Sequence, residues 1–317
     1  MSIGTDNPWP FRISVATACV ALLPIIAGAL VTTLDAGMAF PDWPTSNGQG
    51  MFAFPWLQSA GDEFIEHGHR LAGTLVGMFS IVMAAVLWKK DKRTWVKVLG
   101  VVCLLGVIGQ GLLGGIRVLA ANRAIAQMHG SFAAVVFTLM AAVALFTCKS
   151  WKSAESMDEG ERVPNLKIMS VLLPIALMAQ YILGSFVRHQ GNALHAHLGF
   201  AFIVLVFVMG TSLNAFHSNV PWLQKPGYCL MLLILLQITL GAGAWVTKFG
   251  FPPAAIVAVQ HSSSQIFFRT AHTVVGMLLF MTSVVLTLRV FRLDSIQTAR
   301  LSSGNQSSGM SLSGGVG

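Results

Sequence analysis

The sequence predicts an all-α polytopic membrane protein. Eight transmembrane helices are expected, as two tandem four-helix bundles related by a pseudo-two-fold axis along the membrane normal. Three observations carry this. Of 317 residues, 54% are hydrophobic and only 10% charged, where a soluble domain carries about a quarter. The apolar residues fall into eight runs of about twenty, enough to cross a hydrocarbon core of about 30 Å as helix. A short series of landmarks also occurs twice, in the same order.

The runs lie near 13–33, 70–88, 97–116, 128–148, 167–187, 195–216, 227–246 and 269–289. The first contains "LLPI" at 22–25, and the fifth opens on the same four residues at 172–175. The second follows "EHGHRLAG" (66–73), and the sixth follows "HAH" (195–197). The third holds "GQGLLGG" (109–115), echoed in the seventh by "LQITLGAG" (236–243), and His129 and His272 open the fourth and eighth. His69 precedes Gln110 by 41 positions and His197 precedes Gln237 by 40. Constant helix spacing with variable loops is the pattern of a duplicated unit, and four spans per unit make the two units parallel. The expected units are 1–148 and 167–290, joined by a linker at 149–166. Residues 291–317 are expected as a disordered cytoplasmic tail.

The formal net charge of +8 marks topology and not a nucleic-acid partner. Fourteen of the twenty basic residues, including Lys89, Lys90, Lys92, Arg93, Lys149, Lys152, Arg289 and Arg292, fall in segments on one side of the membrane. The positive-inside bias puts both termini in the cytoplasm. The first twelve residues, with one Arg and one Asp, do not read as the charged start of a cleaved signal. Cys19, Cys103, Cys148 and Cys229 lie in spans without metal spacing and read as small buried residues.

Histidine carries the chemistry. His189, His217 and His261 read as solvated. The others cluster at one end of the even-numbered helices, where the repeat pairs His69 with His197 and His129 with His272. Intramembrane ionisable groups are costly and usually functional. Two facing helices offering one imidazole each could bind a planar macrocycle from both sides, which is bis-histidine haem. Zinc lacks a third and fourth ligand. Gly109, Gly111, Gly114, Gly115, Gly241 and Gly243 leave room for a flat guest, or for close helix contact. Gln110 and Gln237 are matched buried amides, and Arg70, Arg117, Arg188 and Arg269 could meet propionates. Register with the arginine and with the repeat favours His69 over His67 and His197 over His195. Glu66 breaks the repeat, since Leu194 holds the matching place. On a continuing helix it shares a side with His69, and the loop "AFPDWPTSNGQGMFAFPW" (39–56) is long and aromatic enough to fold over it.

These residues resemble haem A synthase of the bacterial and mitochondrial respiratory chain. "GMAFPDWP", "EHGHR", "GQGLLGGIRV", "MHG", "QYILGSFVRHQG…HAH" and "RTAHTVVG" carry the resemblance over nearly all of residues 15–290. It implies an oxidoreductase that converts a ring methyl of haem O to formyl by successive hydroxylations, giving haem A. It implies a b-type haem cofactor on His197 and His272, haem O on His69 and His129, and Glu66 as the catalytic acid group beside the methyl. A bacterial cytoplasmic membrane with haem sites near its outer face is the implied setting. A haem O synthase is the natural donor and a quinone the candidate electron acceptor; a homo-oligomer is left open. Many bacterial members carry a cysteine pair around "PDWP"; Phe40 and Ser46 stand there here. The alternatives are a dihaem b-type electron-transfer cytochrome, a haem transporter or chaperone, and a non-haem transporter of the same design.

Overall fold

A computed structural model describes residues 7–154 and 164–312. Eight long helices cross it: α1 (Trp9–Thr33), α2 (Gly61–Lys90), α3 (Thr94–Leu119), α4 (Arg123–Thr147), α5 (Pro164–Gln190), α6 (Leu194–His217), α7 (Pro221–Phe249) and α8 (Ser263–Leu312). All eight contain an apolar stretch long enough to span a membrane, so this is a multi-pass membrane protein. Among the described residues there is no β-strand, only the isolated bridges Ser46–Gln49 and Phe251–Ile256. Single turns of helix occur at Trp56–Gln58, Lys149–Lys152 and Pro252–Ala254.

Each apolar run expected from sequence lies in one helix, but two helices extend further. α2 begins at Gly61, so Glu66, His67 and His69 sit within its first turns. Gly61 has φ +59° and is followed by Asp62 and Glu63. Acidic side chains at a helix N-terminus complement its dipole. α8 continues past residue 289 because Val290 and Ile296 are buried and Asp294 pairs with Lys167 Nζ at 2.7 Å. It runs to Leu312, through most of the segment expected as a tail; residues 313–317 lie outside the described residues, as do 155–163 of the expected linker.

The buried apolar residues form two clusters. One draws on α1–α4, with Met83, Leu87, Val96, Cys103 and Met140 at its centre. The other draws on α5–α8, with Ala134 of α4 added to Leu173, Val208, Leu230 and Leu286. The halves meet through α1 and α4 against α5 and α8. Much of the outward surface is large and apolar, including Leu105, Phe202, Val206 and Leu232, as lipid requires of a spanning helix. The cysteines depart from expectation: Cys103 alone is buried, while Cys19 and Cys229 face outward. A thiol behaves as a small hydrophobe, so in a span the lipid side suits it as well as the core.

Candidate functional site

Both histidine pairs converge at the end of the bundle that carries the 34–60 loop. The His69 and His129 ring centres are 6.3 Å apart with planes at 87°, and those of His197 and His272 are 6.2 Å apart at 86°. His67 and His195 do not take part. The His67 ring is fully buried but tied to the loop, with Nδ1 2.9 Å from Ser46 Oγ and Nε2 3.1 Å from Met51 O. His195 is exposed on α6.

One local device recurs at all four rings. Each lies against a glycine of the preceding odd-numbered helix: a Cβ on Gly28 would stand 2.8 Å from His69 Cε1, and on Gly114 3.0 Å from His129 Cε1. On Gly184 it would stand 3.0 Å from His197 Cε1, and on Gly241 2.9 Å from His272 Cε1. Any side chain there would push the imidazole away. Four residues before each glycine stand Pro24, Gln110, Gln180 and Gln237. The Pro24 carbonyl accepts from His69 Nδ1 at 3.0 Å and the Gln237 carbonyl from His272 Nδ1 at 3.1 Å. Those of Gln110 and Gln180 lie beside His129 and His197, whose Nδ1 atoms are buried without a hydrogen bond of ordinary geometry.

That register corrects one landmark. Pro174 stands ten residues before Gly184, so the residue in Pro24's place is Gln180, and the two "LLPI" segments are offset by six. The glycines are corrected as well. Gly114 and Gly241 receive histidine rings, Gly115 receives the Trp43 ring and Gly243 the Phe268 ring, so most serve the protein's own aromatic groups. Gly28 and Gly184, which complete the set, sit singly, and nothing in the sequence marks them. A His–Gly pair on adjacent helices has no fixed sequence separation.

The site fits haem on its donors. A metal–imidazole bond is about 2 Å and the ring centre lies about 1 Å further back, so two imidazoles on one metal would have centres about 6 Å apart. A hydrogen bond from Nδ1 to a backbone carbonyl leaves Nε2 free, the tautomer that ligands require. Among the described residues no group of three or more His, Cys, Asp and Glu could hold a metal, so each pair offers two protein ligands.

The halves differ around the pairs. Glu66 is fully buried. Its Oε1 accepts from Arg70 Nη2 at 2.8 Å and lies 4.0 Å from Arg117 Nη2; its Oε2 accepts from Ala39 N at 2.8 Å. A solvated loop glutamate, the bland expectation, is excluded. Arg70 also donates to the Asp42 and Thr45 carbonyls at 3.0 and 2.8 Å, and Arg117 to Gly37 O at 2.9 Å. The loop is thus drawn over the carboxylate. Phe40 and Ser46 are both fully buried, and both meet His67, by ring contact at 6.0 Å and by hydrogen bond. Within the loop, the Thr45 hydroxyl and the Gly48 and Asn47 amides hold the Asp42 carboxyl down from 3.8 to about 2.

In the second half Leu194 replaces Glu66, and the arginines serve structure. Arg188 donates to the Ala29 carbonyl and, at 2.9 and 2.8 Å, to the Thr33 and Thr273 hydroxyls. Arg269 Nη1 lies 3.4 Å from Thr33 O. These cations satisfy the carbonyl end of α1, where the helix dipole is negative. Arg188 and Arg70 therefore spend their donors on the protein, whereas Arg117 and Arg269 keep several free. His189 is also unlike its expectation: it is partly buried at the end of α5, with Nε2 4.0 Å from a Cβ on Gly130.

Fold and site together define a class: multi-pass membrane proteins with two partly buried histidine pairs, one in each four-helix half. Residues 57–197 match the family described as Cytochrome oxidase assembly protein. A Heme A synthase of Shouchella clausii is 28% identical over 242 residues, 75% of this chain and 76% of the relative. Those of Bacillus pumilus and Symbiobacterium thermophilum are 25% and 27% identical over 188 residues, 57% of this chain and 59% and 60% of the relatives. The chain is thus similar to haem A synthases over as much as three quarters of its length.

Proposed function

We propose that this protein is a haem A synthase that oxidises the ring methyl of haem O to formyl by successive hydroxylations. Haem O is the substrate on His69 and His129, and a b-type haem is the cofactor on His197 and His272. The observation that carries this is the asymmetry between two otherwise matched histidine pairs: a buried carboxylate within one turn of His69 and a leucine in the matching place. Electron transfer alone needs both pairs but has no use for Glu66.

When bound on His197 and His272, the b-type haem would supply one-electron redox chemistry, and the overall oxidation needs an acceptor of the quinone class. The chain's own residues do the rest. His69 and His129 fix the substrate, Gly28 and Gly114 set their rings, and Arg117 retains donors for a propionate. Each hydroxylation by water adds one oxygen and releases two electrons and two protons, so a proton acceptor is needed beside the methyl. Glu66 is that group, and Arg70 and Ala39 N orient it. The 34–60 loop keeps bulk water off the carboxylate. The distribution of basic residues supports cytoplasmic termini, with the haem sites near the outer face of a bacterial cytoplasmic membrane. Haem O, insoluble in water, arrives from a haem O synthase.

Haems extracted from the purified protein, after expression in a host that supplies haem O, test this. Haem B together with haem O, a hydroxylated intermediate or haem A is the expected composition. Haem B alone, two per chain despite available haem O, would make this an electron-transfer cytochrome.

A further inference from the structure

His67 is fully buried but belongs to neither pair. It stands two residues before His69 and so points about 200° away from it, onto the face of α2 that Leu71, Met78 and Val82 continue down the span. Met78 and Val82 are 48% and 49% exposed, so that face meets lipid. An imidazole on such a face is costly unless it serves something. The loop covers it: Ser46 and Met51 hold its two nitrogens, and its ring centre lies 4.7 Å from that of Phe54 and 6.0 Å from that of Phe40.

Between this loop and α2 lies a cavity of about 380 Å³, a volume typical of small-molecule sites. Phe54, Trp56 and Leu57 wall it from the loop, His67 and Leu71 from α2. The Trp56 wall is fixed. Its ring stacks on Phe64 at 4.9 Å and 15°, and its Nε1 donates to the Phe64 carbonyl at 2.8 Å. Gly68 makes room for it, since a Cβ there would stand 3.2 Å from the indole. The lining is mostly apolar, and both His67 nitrogens are taken. Gln58, also in the lining, offers a side-chain amide with no hydrogen-bond partner among the described residues.

The cavity is joined to the Glu66 site. Phe40, beside His67, lies under the Arg70 guanidinium at 5.0 Å, and Arg70 donates to Glu66. Ser46 Oγ, which holds His67, is 3.4 Å from Arg70 Nη1. In the second half the residue matching His67 is His195, which is exposed after a connection of only residues 191–193.

We infer that this cavity docks the ring of a quinone, the electron acceptor of the hydroxylation. The inference rests on the synthase reading and adds where the acceptor sits. A quinone arrives through lipid, lies flat against aromatic side chains and accepts hydrogen bonds at its carbonyls. The lipid-facing side of α2, the Phe54 and Trp56 rings and the Gln58 amide meet those three needs. Each hydroxylation balances: the methyl carbon exchanges a C–H bond for a C–O bond to water oxygen, and the quinone takes up the two electrons and two protons to become quinol.

Tryptophan fluorescence of the full, detergent-solubilised protein tests this, with decylubiquinone and menadione as probes. Saturable quenching that disappears in Trp56→Phe is expected. Gln58→Ala should weaken binding about five- to tenfold, the effect of one hydrogen bond. Leu71→Phe, which narrows the cavity, should weaken it at least as much, with the extracted haems unchanged in both variants. Quenching that does not saturate, or that persists in Trp56→Phe, would overturn the site. Quenching of Trp56 by brominated lipid that neither quinone relieves would overturn it too, making the occupant an acyl chain. Haem O conversion without saturable quinone binding would strike the docking and leave the synthase standing. Saturable binding to a protein that yields haem B alone would keep the quinone site and end the synthase reading.

Discussion

The two halves hold their histidines almost identically, with ring centres 6.3 and 6.2 Å apart and planes at 87° and 86°, yet their surroundings diverge. Around His69 a buried Glu66 sits between two guanidiniums under a 27-residue loop (34–60), and the nearest helix proline is four residues from the supporting glycine. Around His197 there is a leucine, a short connection, and an arginine bound to the end of the opposite half's first helix. Imidazole placement is therefore set by a small repeated device, a glycine against each ring. Charge, water access and mobility are set separately by loops and helix ends. A duplicated bundle can in this way keep a histidine scaffold while one copy acquires a buried carboxylate.

The sharpest way to break the comparison is to remove ligands one half at a time. His197→Ala or His272→Ala should abolish bound haem B, and activity with it. His69→Ala or His129→Ala should leave haem B in place and remove haem O, and pigment extraction separates the two patterns. Loss of haem B from an N-terminal variant would show that the sites are not independent.

Glu66→Gln comes next. Both haems should remain, with haem A formation slower by roughly 10²-fold or more, a typical worth of a positioned proton acceptor. Unimpaired haem A production would sink the role of Glu66 and leave the asymmetry unexplained. The glycine device can be probed symmetrically. Gly28→Ala and Gly184→Ala each place a methyl about 3 Å from an imidazole and should cost about 1–3 kcal/mol, each displacing the haem of its own half only.

Arg188→Met should lower thermal stability by about 3 kcal/mol by removing charged donors from Ala29 O and Thr33 Oγ1. The smallest effect expected is pH-dependent and confined to the loop. The Asp42 carboxyl is held below its ordinary value, so its contribution is full above pH about 4 and is lost as pH falls toward about 2. Trp43 fluorescence should report loop release across that window, and Asp42→Asn should abolish the transition while both histidine pairs keep their haem.

Much of the site could be read before any coordinates. Ionisable groups at the ends of apolar runs are costly enough to stand out, so Glu66, His69, His129, His197 and His272 were legible as candidates. The repeat then offered a pairing, His69 with His197 and His129 with His272, and the structure sets the members of each half side by side, with rings nearly perpendicular. The choice of His69 over His67 rested in the sequence on register with the arginine and with the repeat. Two residues apart on a helix point about 200° apart, and only packing shows which faces the bundle. His189 looked solvated because it follows an apolar run, yet α5 carries it to the side of α4.

Length, hydropathy and basic-residue placement by themselves determined the eight spans, since a bilayer leaves the backbone few alternatives to a helix of that length. The tertiary structure alone decided which glycine abuts which imidazole, that Glu66 lies buried between Arg70 and Arg117, and that Arg188 serves α1 instead of a free anion. Those outcomes depend on rotation and depth of one helix against another, and contacts between distant residues leave no period in the chain.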